Sequence, residues 1–192
     1  MWDTDRRIKR AKVISDFIKG KVRLHSEMNV LEFGCGTGLI SFNLYQSVNK
    51  IIGYDTSEKM IDVFNRKINE LNALNVSSTT DLLKYSNQID CVLSSMVFHH
   101  ILDIKSQLYE LSKVLTSKGE LFIVDLDKED GSFHKDEVGF DGHNGFDRDE
   151  FCEILASINF EIIKVGTVLN DIKRINGTDV PYSLFYIHAR KV

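Results

Sequence analysis

The stretch Val30-Leu31-Glu32-Phe33-Gly34-Cys35-Gly36-Thr37-Gly38-Leu39-Ile40-Ser41 constrains this chain more than any other. An apolar run leads into three glycines at alternating positions, and an apolar-periodic segment follows at once. That order reads as a buried strand, a tight turn and a helix start. Glycine tolerates backbone angles that a side chain forbids and lets another molecule lie against the main chain. The amides at the helix start then face whatever occupies the turn.

Two familiar uses of such a turn fail on spacing. A dinucleotide fingerprint places small residues at the first, third and sixth positions, but the sixth position counted from Gly34 is Leu39. This disfavours a nicotinamide-dependent oxidoreductase. A phosphate-binding loop ends in Gly-Lys-Ser/Thr, and none follows. Bulk properties narrow the field further. A length of 192 residues suits one domain, and a net charge of -4 gives no general basic field for nucleic acid. No apolar run reaches membrane-spanning length and the start lacks a signal core, so no membrane partner is expected. The cysteines Cys35, Cys91 and Cys152 are scattered and odd in number, which indicates neither a zinc site nor a disulfide framework and fits a reducing cytoplasm.

Along the chain, Ile8, Ala11, Ile14, Phe17 and Ile18 recur at helical spacing, with basic residues over much of the other face and Gly20 as a stop signal. A strand at about 29–34 and a helix at about 38–48 follow. Lys50 to Asp55 forms a short strand ending in a carboxylate. Ser57 can then cap a helix striped by Met60, Ile61, Phe64, Ile68 and Leu71. Further strands fall near 75–80, at 89–95 and at 120–126, with a helix between the last two carrying Ile101, Ile104, Leu108, Leu111 and Leu115. Asp147 and Glu150 resemble a helix-capping pair. Strands at 160–168 and 183–190 close the chain across a turn-prone stretch holding Asn176-Gly177 and Pro181. The alternation predicts a parallel sheet covered on both faces, and the final short connection predicts an antiparallel hairpin. Asp55, Asp81, Ser94 and Ser95 all fall at strand ends or just beyond, on the rim where open α/β sheets bind ligands.

Glu32-x-Gly34-x-Gly36-x-Gly38, followed by Asp55, resembles the Rossmann-like class I S-adenosylmethionine-dependent methyltransferases. The resemblance runs from about residue 28 to the end. It implies an α/β fold with a seven-stranded, mainly parallel sheet, an antiparallel last strand and helices on both faces. It also implies a single methyltransferase domain over 1–192, with an N-terminal helix at 1–20 and a substrate-side loop at 128–146. The implied cofactor is S-adenosylmethionine, released as S-adenosylhomocysteine. Glu32 would approach the methionine part or satisfy the turn itself. Gly34, Gly36 and Gly38 would admit the methionine and sulfonium against bare backbone, with Cys35 a small packing residue whose backbone faces the ligand. Asp55, followed by Thr56 and Met60, would accept hydrogen bonds from both ribose hydroxyls, for which a carboxylate offers two acceptor oxygens. Asp81 and Leu82 would meet the adenine, and Ser94 the floor beneath the sulfur.

A methyl group on a sulfonium already has a good leaving group, so positioning can carry much of the catalysis. A base is needed where the acceptor carries a tightly held proton. Histidine suits that task near neutral pH, and His134, His143 and His100 are the candidates, with His99, Asp125 and Asp127 also in view. The spacing of His134, Asp136, Asp141 and His143 matches no metal-ligand signature, and no metal is expected. The compact length and the lack of a basic stripe favour a small-molecule acceptor and make nucleic acid a poor partner. The alternatives are an RNA or protein methyltransferase, or a protein that binds S-adenosylmethionine without catalysis.

Overall fold

The computed structural model describes residues 2–192. Seven strands form one sheet in the order β3-β2-β1-β4-β5-β7-β6. They are β1 (Asn29–Phe33), β2 (Lys50–Tyr54), β3 (Val76–Thr79), β4 (Ile89–Ser95), β5 (Leu115–Leu126), β6 (Phe160–Ile175) and β7 (Thr178–Lys191). The first five run parallel, and β7 pairs antiparallel with both β5 and β6. The expected mainly parallel sheet with an antiparallel last strand is therefore present. Strand order reverses between β1 and β4, which puts the ligand crevice of this architecture above their carboxyl ends.

Five helices cover the sheet: α1 (Asp5–Lys21), α2 (Ser41–Leu44), α3 (Glu58–Leu71), α4 (Ile104–Val114) and α5 (Arg148–Ala156). On one face Ala11, Ile14 and Ile18 of α1 and Leu44 of α2 bury against Val30, Leu93 and Val124. On the other, Leu108 and Leu111 of α4 and Phe151 and Leu155 of α5 bury against Leu31, Val92 and Ile123. Thr4 caps α1 by accepting from the Arg7 amide, and Asp147 caps α5 by accepting from the amides of Asp149 and Glu150.

Several element boundaries differ from the sequence expectation. α1 runs through Gly20 to Lys21, because no packing demand there requires a turn and a late glycine costs a helix only about 1 kcal/mol. The helix expected at 38–48 shortens to α2, followed by a 3₁₀ turn over Tyr45–Ser47. Residues 101–103 stay outside α4, where Asp103 caps by accepting from the Ser106 amide. Ser57 makes no side-chain cap bond; its own amide donates to Asp55 instead. β5 begins at Leu115 rather than Glu120. β6 and β7 extend far beyond the expected spans, to a two-residue turn at Asn176 (φ 49°) and Gly177 (φ 83°). That left-handed pair is the turn that suits a twisted hairpin. Pro181 sits in β7 beyond its pairing with β5, so its missing N–H leaves only one neighbour to answer to.

Candidate functional site

The glycine turn and the end of β2 are tied together directly. The Gly36 amide donates to Asp55 Oδ2 at 2.9 Å, and the Ser57 amide donates to Asp55 Oδ1 at 2.9 Å. Two acceptor bonds still leave a carboxylate with unused lone pairs. The amides of Gly34 and Cys35 both donate to the Tyr54 carbonyl, and that of Gly38 to the Cys35 carbonyl. The turn therefore spends most of its amides on the end of β2, rather than pointing a row of free N–H groups at a ligand.

The three glycines have different surroundings. A Cβ at Gly34 would meet Val97 at 2.3 Å, and one at Gly38 would meet Phe42 at 2.5 Å and Phe64 at 2.7 Å. Those two permit close packing by the protein's own side chains. Only Gly36 (φ 51°) faces open space, with nothing within 4 Å of a Cβ placed there. Cys35 is buried, its sulfur packed beside Gly53, and burial holds its thiol far above the usual range, so it carries no thiolate at neutral pH.

Glu32 is buried beneath the turn, and Oε2 accepts from both the amide and the hydroxyl of Ser41. Burial pushes its carboxyl up to about 7, and the Ser41 bonds pull against that shift. At the next strand end, Asp81 is exposed and accepts from the Leu83 amide, while Leu82 and Tyr54 pack against one core cluster. Thr56 is exposed and Met60 half-buried. Ser94 is 2% exposed, and its hydroxyl has no partner among the described residues. A buried unpaired hydroxyl at the switch point is costly unless something else meets it.

Beyond β4 the chain builds a cluster that the sequence did not disclose. Asp125, fully buried at the end of β5, accepts from the amides of Val97 and Phe98 and lies 2.6 Å from His99 Nδ1. His134 stacks on Phe140 with centroids 3.7 Å apart, and stands 5.0 Å from the ring of His99 and 6.1 Å from that of His100. Burial, with neighbouring charge on His99, pushes His134 down to about 4, and its buried Nδ1 has no partner among the described residues. His100 is also lowered, first by burial. His143 stands differently: its amide donates to the His99 carbonyl and its Nε2 donates to the Ile101 carbonyl. Asp127 is held by a two-pronged contact from Arg148, at 2.6 and 2.7 Å, and by the Ser183 hydroxyl. Among the described residues no group of three or more His, Cys, Asp or Glu is arranged to hold a metal ion.

A parallel sheet whose strand order reverses between β1 and β4, with a glycine turn bonded to the carboxylate at the end of β2, defines a Rossmann-like α/β protein. A family model described as a methyltransferase domain matches residues 31–123. The chain is 38% identical over 139 residues to an uncharacterised methyltransferase of Schizosaccharomyces pombe, covering 63% of this chain and 49% of that one. It is 30% identical over 122 residues to the ubiquinone biosynthesis O-methyltransferase of Pelagibacter ubique, covering 62% and 51%. The chain thus spans about half the length of these relatives. Its fold matches magnesium protoporphyrin IX methyltransferase from Synechocystis PCC 6803 with bound S-adenosylhomocysteine, at a TM-score of 0.70 and 20% identity, covering 97% and 84%. The chain is therefore similar to the methyltransferase domain family over residues 31–123, and its fold is that of the class I S-adenosylmethionine-dependent methyltransferases.

The residues present fit that family's cofactor. A carboxylate with spare acceptor capacity, one bare backbone position and an orphaned buried hydroxyl lie around the switch point.

Proposed function

We propose that the chain is a methyltransferase that carries S-adenosylmethionine across the mouth of the β1–α2 turn and methylates a small-molecule acceptor. The contact from Gly36 to Asp55 carries this reading. It brings the open backbone position and the ribose-accepting carboxylate side by side, on the crevice where this architecture binds ligands. Asp55 would hold the ribose hydroxyls, with Thr56 and Met60 beside it. Asp81 and Leu82 would take the adenine. Gly36, flanked by Gly34, Cys35 and Gly38, would admit the methionine portion. Ser94 would lie beneath the sulfur, and Glu32 would act through Ser41 and the turn. The bound cofactor supplies a methyl group on a positively charged sulfur.

The loop 128–146 would lie on the acceptor side. His143 is occupied in pinning that loop to Ile101, so we assign proton acceptance to His100 before His134. A group pushed down to about 4 is a weak base at neutral pH, whereas efficient bases sit nearer the working pH. A small acceptor is supported by the ubiquinone-pathway relative.

Calorimetry with S-adenosylhomocysteine tests the cofactor reading. Asp55→Ala is expected to weaken binding by roughly tenfold to a hundredfold, the range for one charge-assisted bond. Unchanged affinity would remove the ribose assignment.

A further inference from the structure

An open groove of about 850 Å³ runs between α1 and α3. Ile8 and Val13 of α1 and Leu71 of α3 line it, at 45%, 48% and 50% exposure. Single exposed apolar residues need no explanation, but three converging on one groove mark an interaction surface. Trp2, the chain's only tryptophan, is 57% exposed, and its neighbour Asp3 is bonded to groove-lining Lys67 at 2.7 Å.

The charge around this groove runs against that of the chain. Five of the seven residues from Arg6 to Lys12 are basic and none is acidic, in a chain of net charge -4; Arg6 and Arg10 turn toward Tyr182 of β7, which leaves Arg7, Lys9 and Lys12 for this face. Lys9 and Lys12 line the groove with Lys67, against a single acid, Glu70. Lys12 pairs with Asp16 and Lys67 with Asp3, while Lys9 has no ion pair among the described residues.

We propose that this face docks on an anionic lipid bilayer. Ile8, Val13, Leu71 and Trp2 enter the interfacial layer, and Lys9, Lys12 and Arg7 meet lipid phosphates. Tryptophan is favoured at that depth because its ring is apolar and its N–H polar. Lysine stems cover apolar surface while their ammonium groups reach the headgroups. Neither a short apolar patch nor a few charges hold a protein on a membrane alone, but the two together do so reversibly. A second copy of this chain is disfavoured as the occupant, since symmetric pairing of α1 would set lysine against lysine. Among the described residues no helix is long and apolar enough to cross a membrane, so the proposed contact is peripheral. The inference does not depend on the cofactor reading.

The lone tryptophan reports on the test. The whole chain is titrated with vesicles of phosphatidylcholine alone, or with roughly one-third phosphatidylglycerol. The expected result is a shift of Trp2 emission to shorter wavelength and co-sedimentation with the anionic vesicles only. Partitioning should weaken about tenfold or more as salt rises from about 50 to about 300 mM. Lys9→Glu with Lys12→Glu is expected to cut partitioning at least about tenfold. Ile8→Ser with Val13→Ser should also weaken it, with thermal midpoints confirming that both variants fold. Failure to partition into anionic vesicles overturns the proposal, as does equal partitioning into neutral ones. Equal affinity for polyglutamate with unshifted emission also overturns it, in favour of an acidic protein partner. If a variant does not fold, the lipid and salt series on the unaltered chain decides alone.

Discussion

Asp125 Oδ1 lies 2.6 Å from His99 Nδ1, with both side chains buried. The same carboxylate accepts from the amides of Val97 at 3.2 Å, Phe98 at 2.8 Å and Leu126 at 2.8 Å. It therefore sets the path of the chain as it leaves β4, and with it the placement of His99 and His100. Removing an acceptor from several buried donors costs about 1–3 kcal/mol for each donor left unmet. Asp125→Ala is expected to lower unfolding stability by about 3 kcal/mol or more, and Asp125→Asn by less, because one acceptor oxygen remains. Urea unfolding checks the ranking. A loss under about 1 kcal/mol for alanine would mean that water can replace the carboxylate.

Two glycines should respond in opposite ways to alanine. At Gly36 the added methyl meets open space, so the cost to folding is the left-handed backbone, about 1 kcal/mol, while the methyl stands on the proposed ligand face. At Gly142 the methyl would stand 2.1 Å from the His99 carbonyl oxygen, a backbone atom that cannot step aside. Gly36→Ala should keep its thermal midpoint within a few degrees and lose S-adenosylhomocysteine affinity by about tenfold or more. Gly142→Ala should lose about 2 kcal/mol of stability. Calorimetry and thermal unfolding on the pair would show the opposite pattern if Gly36 were merely a packing residue.

Glu32 gives the site a pH signature. Its folded carboxyl titrates at about 7 against an ordinary value of 4.5, chiefly because it is buried. Between those values the folded chain holds a proton that the unfolded chain has released, so stability falls as pH rises through the window. The stabilising term is fully present below about 4.5 and lost above about 7. At about 1.4 kcal/mol per unit the effect approaches about 3 kcal/mol. Glu32→Gln should remove it. The stability difference, wild type minus variant, should decline across the window and flatten at both ends. A difference that rises with pH would show that the Ser41 bonds outweigh burial.

The parts of this architecture legible in the sequence are those where one residue type had one physical job. The apolar run into Gly34-Cys35-Gly36-Thr37-Gly38 could hardly be other than strand and turn, and Asp55 stood out as a carboxylate closing a short apolar strand. The closing hairpin was legible but its outer length was not, because residues such as Arg174 and Asp179 pair through backbone while their side chains face water and show no apolar pattern. Asn176-Gly177 was the available signal, since that dipeptide favours a tight hairpin turn. The link between Asp125 and His99 spans 26 positions, and the bond from the Thr37 hydroxyl to Asp3 spans 34, so no local periodicity could announce either. The three glycines look alike as letters, yet only their neighbours in space decide that Gly36 is open while Gly34 and Gly38 are filled.

Lys173 fastens the 128–146 loop to the hairpin. Its ammonium donates to the Phe133 carbonyl at 2.7 Å, reaches Asp136 at 3.1 Å and Glu137 at 3.4 Å, and lies 4.5 Å from the centre of the Phe133 ring. Because it is largely buried, these contacts are screened less than surface pairs. Lys173→Met keeps most of the stem and removes every donor. Amide exchange over residues 132–137 should then quicken by about tenfold or more, the response to losing roughly 1.4 kcal/mol locally, while β1, β2 and β4 exchange as before. The thermal midpoint should move little, because the loop opens without the sheet. Unchanged exchange would show that the stack of His134 on Phe140 and the contact of Phe133 with Tyr182 hold the loop without the lysine. Exchange quickening across the sheet as well would make the hairpin, loop and core one cooperative unit, and the loop could not then open by itself to admit an acceptor.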